Sequence, residues 1–357
     1  MKILHITESY KGGVASAIES FVSATSSHSH YLLYSNSRGS TQKPKENYYS
    51  QLFELHKNPL RAALQIRSVV KKVQPDVVHL HSSFAGVYGR LFKLGYSNGC
   101  AKCPDGKRRV TPRIVYSPHC FAFERQDVEP YKQRLFKLIE RTLASRVDAF
   151  GCCSLREVAL ASQLNNKKRA VFVPNVSEFE PSVMPFGSPT SVDTPLNIVT
   201  VGRVSRQKNP EMFTAIAQDN KEHNFIWIGD GEEEDVARLK EAGVVVKGWK
   251  NNFEVEKLLK SANVYLHVAL WEGFPISIVD AVKLKLPTIA KSAEYFEEMN
   301  VEECLFSDVT GASKMISSML SESARQENVR IWDAALENNT KQEQREALLD
   351  CYFGTDA

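Results

Sequence analysis

Short apolar runs recur along this chain, and most are followed by a stretch whose apolar residues fall at helical spacing. The runs are Lys2–Ile6, Tyr31–Tyr34, Asp76–His81, Arg113–Tyr116, Asp148–Gly151 and Ala170–Val173, then Leu196–Val201, Asn224–Ile228, Val244–Val246, Val264–Val268 and Thr288–Ala290. Strands alternating with helices specify parallel sheets covered by helices, because every crossover must carry the chain back over the sheet. The rhythm stops once, over Ser177–Pro195, which is rich in Ser, Pro and Thr and has little periodicity. The pattern predicts an α/β protein of two Rossmann-like, doubly wound parallel-sheet domains facing across a cleft. Residues 1–176 form the first, 177–195 the linker and 196–339 the second, with a last helix near 340–357 packing back on the first.

The length of 357 residues suits two domains that each bury a core. Hydrophobic content of 43% and charged content of 24% are those of a soluble globular protein. No apolar run approaches the ~20 residues of a membrane helix, and Met1–Thr7 is too short and too soon followed by Glu8 to be a secretory signal. Seven cysteines without framework spacing suit a reducing compartment, so a cytoplasmic location is expected. The net charge of +3 conceals an asymmetry: 27 basic against 14 acidic residues over 1–180, and 18 against 28 over 181–357. Clusters such as Lys107-Arg108-Arg109 and Lys167-Lys168-Arg169 suit anionic lipid headgroups, a pyrophosphate-bearing substrate or nucleic acid, with a solvated face as the plain alternative. Tyr131–Leu143 reads as a basic amphipathic helix with Leu135, Phe136, Leu138 and Ile139 apolar, a candidate for docking at the inner face of the cell membrane.

In the first half, Lys2–Ile6 leads to Gly12-Gly13 and then to Val14, Ala17, Ile18, Phe21 and Val22 at helical spacing, a Rossmann-type opening without the G-x-G-x-x-G fingerprint. His79 and His81 share one face of a strand end, but no third ligand is evident nearby and no metal is expected. Residues 95–112 read as an inserted basic loop; Cys100 and Cys103 have half the spacing of a zinc knuckle, with Cys120, Cys152 and Cys153 as distant candidates for the rest. His119 follows Pro118 just past a strand end, where a substrate would meet it.

The second half gathers ligand-binding chemistry. Trp271-Glu272-Gly273-Phe274-Pro275 turns tightly into a helix with Pro275 as its first residue and Asp280 inside it. A helix start offers N–H groups to an anion, and carboxylates accept from hydroxyls, so the ligand carries both phosphate and sugar hydroxyls. Gly202-Arg203 with Lys208 enters a helix at Pro210 and supplies two cations for a diphosphate. Gly229-Asp230-Gly231 and Gly248-Trp249 are tight turns after neighbouring strands, so these strand ends converge on one nucleotide pocket. Glu232–Asp235 reads as the acidic first turn of a helix rather than a metal site.

Together these pieces closely resemble the GT-B retaining glycosyltransferases of family 4, the group that builds bacterial surface polysaccharides. The resemblance spans nearly the whole chain. It is strongest over 196–290, where Gly202-Arg203 with Lys208, Gly229-Asp230-Gly231, Gly248-Trp249, and Glu272-Gly273-Phe274 with Asp280 stand in family order. Gly12-Gly13, His79-Leu80-His81-Ser82, His119 and Pro174-Asn175 match more loosely. The resemblance implies that Arg203 and Lys208 bind the donor diphosphate and that Glu272 with the amides of Gly273–Pro275 meets the donor sugar. It further implies that Asp280 takes the ribose hydroxyls and that His119 faces the sugar or acceptor. The implied activity is metal-independent hexosyl transfer, without cofactor, from a nucleoside-diphosphate sugar (UDP- or GDP-linked) to a glycan or lipid-pyrophosphate-linked acceptor, and no nucleic acid is involved. Asp280 stands where the family usually has Glu, Asn209 where Gly is common, and Cys120 where a small or acidic residue is frequent. Two rivals remain: a GT-B-shaped sugar-nucleotide epimerase, and a non-enzymatic nucleotide- or polyanion-binding protein.

Overall fold

The computed structural model describes residues 1–35, 43–92, 111–181 and 194–354. The chain divides into two compact units, Met1–Asn175 with Thr340–Ala357, and Val176–Asn339.

The first unit runs β1 (Lys2–Thr7), α1 (Gly12–Ala24), β2 (Ser29–Tyr34), β3 (Gln51–Glu54), α2 (Pro59–Val73), β4 (Val77–His81), α3 (Ser83–Phe92), β5 (Arg113–Ser117), α4 (Pro130–Leu143), β6 (Ala149–Cys152), α5 (Leu155–Leu164) and β7 (Arg169–Phe172). Its strands are parallel in the order β3-β2-β1-β4-β5-β6-β7. Leu4, Ile6, Val78, Leu80, Ile114 and Phe150 from the sheet pack with Ala62, Ile66, Val69 and Val70 of α2. Asn58 starts that helix by accepting from the amides of Leu60 and Arg61, with Pro59 at the first helical position.

Two elements of this unit are absent from the sequence reading. β3 is short, and its exposed polar ends, Gln51 and Glu54, hide the strand. α3 carries Gly86 and Gly89, poor helix formers, and both are there for close packing. A Cβ at Gly86 would lie 2.5 Å from the Tyr116 ring, and one at Gly89 2.2 Å from Leu80.

The second unit runs β8 (Asn197–Val201), α6 (Pro210–Asp219), β9 (Asn224–Ile228), α7 (Glu233–Glu241), β10 (Val245–Val246), α8 (Asn252–Lys260), β11 (Val264–His267), α9 (Ile276–Lys283), β12 (Thr288–Lys291), β13 (Leu305–Phe306), α10 (Val309–Ser318) and α11 (Glu322–Ala335). The sheet is again parallel, in the order β10-β9-β8-β11-β12-β13. α7 does begin with Glu233, Glu234 and Asp235 in its first turn. α11 was not legible as a helix because two of its buried residues are polar. Asn328 bonds both backbone groups of Thr288, and Trp332 Nε1 donates to the Thr288 carbonyl.

The last helix, α12 (Lys341–Phe353), belongs to the first unit. Its buried Gln344 accepts from Ser20 Oγ and donates to the Pro174 carbonyl, both at 2.8 Å. Arg113 Nε donates to the Cys351 carbonyl, and Arg169 pairs with Asp350. Among the described residues no helix is long and apolar enough to cross a membrane.

Candidate active site

In the second sheet β8 lies between β9 and β11, so the connections after β8 and β11 leave in opposite directions and open a crevice at the strand ends. The glycine turns meet there. Gly202 has φ +151° and Gly229 φ +149°, and a Cβ on Gly229 would sit 2.0 Å from the Gly202 carbonyl oxygen. Val204 bridges Gly231, and Gly229 bridges Gly248. Trp227 Nε1 donates to the Gly202 carbonyl at 2.8 Å. These glycines therefore let three turns touch backbone to backbone.

The β8 turn is also laced to the β11 turn. Leu270 N donates to the Gln207 carbonyl at 2.8 Å, and Gln207 Nε2 to the Trp271 carbonyl at 2.9 Å. The Lys208 side chain lies over Gly202, where a Cβ would meet its Cε at 2.8 Å, and its ammonium pairs with the Glu272 carboxylate. Lys208 and Glu272 are both mostly buried, so water screens the pair incompletely. Asn209 has φ +55° and accepts from Met212 N. That left-handed backbone explains why a position where Gly is common accepts Asn, which tolerates the conformation and caps α6 as well.

Arg203 reaches outward to Glu232 at 3.0 Å, in an exposed pair that water screens well. Glu272, Gly273 and buried Phe274 lead into α9, with Phe274 edge-on to Phe296. Pro275 is the cap of α9 rather than its first residue, and no side chain caps the helix start. Trp249 is half exposed beside Gly248.

Asp280 accepts from Ser177 Oγ at 2.6 Å. Burial pushes its carboxyl up to about 7; the Ser177 bond opposes this, and the charges of Glu178 and Glu256 add to it. The folded protein thus keeps a proton that the unfolded chain loses near pH 4. Asp280 favours the native state at low pH, and that advantage is lost as pH rises through about 7. Asp280→Asn is expected to gain melting temperature over the parent at pH 8.5, by a margin that shrinks by pH 5. A margin independent of pH, in melts across that range, contradicts the burial of this group.

The remaining candidates belong to the first unit. Gly12 opens α1 with φ +54°, and a Cβ there would meet nothing within 4 Å, so the backbone conformation rather than space calls for glycine. Gly13 is the second residue of α1, whose start has no side-chain cap and no acidic residue in its first turn. His119 follows β5 in a left-handed conformation, φ +51°, and Cys120 follows at +88°. Two such residues in succession are a strained turn. Glu157 holds it by accepting from the amides of Cys120 and Cys153. Burial lowers the His119 pKa to about 4, so the ring is neutral at pH 7.

His79 and His81 do have a third histidine beside them, which corrects the expectation drawn from the sequence. β1 pairs with β4 so that His5 faces His79, and ring nitrogens of His5, His79 and His81 lie within 4.8 Å of one another. His5 and His30 were missed because their proximity depends on sheet order; adjacency of β2, β1 and β4 was the available signal. All three clustered rings have hydrogen-bond partners, and burial disfavours their charged forms, so they stand as neutral imidazoles whose hydrogen bonds are made within the unit. Cys100, Cys103 and Lys107-Arg108-Arg109 lie outside the described residues. Cys120, Cys152 and Cys153 are free thiols, and Cys153 Sγ donates to Glu157.

Residues 186–328 match the model of the family described as glycosyl transferases group 1, and residues 44–176 match the glycosyl transferase 4-like domain. A 41.2 kDa protein of the cps region of Klebsiella pneumoniae is 27% identical over 309 residues, 84% of this chain and 83% of its own length. The UDP-Gal:alpha-D-GlcNAc-diphosphoundecaprenol alpha-1,3-galactosyltransferase of Escherichia coli is 24% identical over 65% of this chain and 62% of its own. Among solved structures, a sucrose-phosphate synthase from Thermosynechococcus elongatus superposes with a TM-score of 0.77 at 14% identity, covering 98% of both chains. HepE of Anabaena, solved with UDP and glucose, gives 0.73 at 14% identity over 98% of both chains. With two parallel-sheet domains, a group 1 match over the second and a 4-like match over the first, this chain belongs to the family-4 glycosyltransferases of the GT-B fold.

Proposed function

We propose that the protein moves a sugar, with retention of anomeric configuration and without a metal, from a nucleoside-diphosphate sugar to a lipid-pyrophosphate-linked or glycan acceptor in bacterial surface-polysaccharide synthesis. The observation that carries this reading is the Lys208–Glu272 pair at the strand-order reversal of the second unit, on turns fixed to each other by Gln207. A diphosphate entering there meets Lys208 as a point charge, Arg203 as a fork released from its exposed partner, and the uncapped start of α9. Glu272, freed from Lys208, accepts from a sugar hydroxyl, and Asp280 takes the ribose.

Chemistry then follows from where charge develops. The bond from the anomeric carbon to the phosphate oxygen breaks through an oxocarbenium-like state, and the electron pair leaves with the diphosphate. Lys208, Arg203 and the α9 amides stabilise that charge. The acceptor hydroxyl bonds to the anomeric carbon from the same face, and its proton passes to the departing phosphate oxygen. A UDP-linked donor is favoured, since the E. coli relative is named for UDP-Gal and HepE was solved with UDP. A panel of nucleotide sugars read by thermal shift tests this: the true donor raises the melting temperature by mass action, and a panel without any shift contradicts the reading.

The first unit suits an acceptor held at an anionic membrane. α2 presents Arg61, Arg67, Lys71 and Lys72 with exposed Leu60 and Leu64. α3 packs against both α2 and α4. α4 presents exposed Tyr131, Leu135 and Leu138 on one stripe beside Lys132, Arg134, Lys137 and Arg141, while its one carboxylate, Glu140, is buried against Arg90. Each cation near such a surface contributes about 1 kcal/mol. Leu135→Glu with Leu138→Glu is expected to reduce sedimentation with phosphatidylglycerol vesicles at least tenfold at ~0.1 M salt. Equal partition of the parent onto zwitterionic and anionic vesicles overturns the docking.

A further inference from the structure

A line of imidazoles crosses the first unit. His30 Nε2 faces the Thr25 carbonyl at 2.9 Å, and His30 Nδ1 faces His5 Nε2 at 3.1 Å. His5 Nδ1 faces His81 Nε2 at 3.0 Å, and His81 Nδ1 faces His119 Nε2 at 3.1 Å. A neutral imidazole has one N–H and one lone pair, and a carbonyl only accepts. The His30 proton is therefore on Nε2, leaving its Nδ1 to accept from His5. That puts the His5 proton on Nε2, which fixes His81 in turn, and His81 fixes His119. The Thr25 hydroxyl, 3.4 Å from the same His30 nitrogen, changes nothing, because its hydrogen goes to the Phe21 carbonyl at 2.6 Å.

The consequence appears at the far end. His119 spends its N–H inward on His81, and Nδ1 keeps a lone pair. Among the described residues Nδ1 has no partner, and it is not one of the buried unpaired atoms, so it is accessible. The line is no proton conduit, since a carbonyl cannot pass a proton on. His79 stands beside it, with Tyr352 and Ser117 hydroxyls at its two nitrogens; hydroxyls turn to suit either tautomer, so His79 imposes none. Burial keeps His30, His5, His81 and His119 neutral, the condition the argument needs.

We propose that the Thr25 carbonyl, His30, His5 and His81 form a tautomer lock, a set of positioning residues that holds His119 in its Nε2–H form and leaves a bare Nδ1 to accept a hydrogen bond from a hydroxyl of the bound sugar or acceptor. The last clause rests on the reading of His119 as substrate-facing; the lock itself does not.

Selective 15N labelling of histidine, with two-bond proton–nitrogen correlation on the full chain without substrate, reads every tautomer. The expected result at pH 7 is protonated-type Nε2 and bare-type Nδ1 for His30, His5, His81 and His119. A protonated Nδ1, a tautomer mixture, or a metal-bound shift on any of the four overturns the lock. His30→Gln offers His5 either an N–H or a carbonyl, and is expected to give His119 a mixture of tautomers. A single unchanged His119 tautomer in that variant also overturns it, while the wild-type spectrum decides alone if the variant does not fold. Substrate contact is tested separately, by the rate of His119→Ala at saturating donor. An unchanged rate there removes the substrate-facing reading and leaves the lock standing.

Discussion

Lys208→Ala is expected to lower kcat/KM by about a hundredfold or more, the loss typical when one preorganised donor to a developing negative charge is removed. The fall belongs mainly in kcat, because the diphosphate carries more charge in the transition state than in the bound donor. Folding is expected to survive, since Lys208 is one-fifth exposed and Glu272 reaches water once its partner is gone. Arg203→Ala is expected to abolish transfer too, again with the fold intact: its exposed pairing with Glu232 holds nothing in place, and the donor diphosphate takes the fork over from that carboxylate. Steady-state kinetics beside circular dichroism make the check. Near-normal turnover in either variant removes the diphosphate from this loop.

The second large effect is structural. Gly229→Ala places a Cβ 2.0 Å from a backbone oxygen at φ +149°, so it meets both a hard clash and a backbone that side chains avoid. Neither neighbour is a flexible side-chain end, and the two turns must separate. A loss of ~3 kcal/mol or more is expected in denaturant unfolding, together with loss of donor binding. Gly248→Ala is the control. Its φ is +69° with nothing within 4 Å, so only backbone strain of about 1 kcal/mol applies. Equal stability of the two variants contradicts the contact between turns.

Much of this was legible in the sequence, because strand–helix alternation and glycine turns are local signals. The parallel sheets, the α7 start and the turns at Gly202, Gly229 and Gly248 follow from residues close together in the chain. What escaped depends on partners distant in sequence. α3 contains two glycines whose purpose is visible only against Tyr116 and Leu80. α11 buries Asn328 and Arg325, which no apolar periodicity reveals. His5 meets His79 only through strand order, and Ser177, in the stretch read as linker, is buried on Asp280. The sequence located the charged groups of the second unit but not their pairing, Lys208 with Glu272 and Arg203 with Glu232, because side-chain choice among several carboxylates is a tertiary matter.

The central claim is metal-free, retaining transfer to a separate acceptor, and one NMR time course tests it most directly. The donor found by thermal shift is incubated with EDTA, with and without an undecaprenyl-pyrophosphate-type acceptor, and the released nucleoside diphosphate and the anomeric proton of the product are followed. The account predicts release that depends on acceptor, is indifferent to EDTA, and yields a product of the donor's anomeric configuration. Conversion of the donor without acceptor, arrest by EDTA, or an inverted product contradicts it.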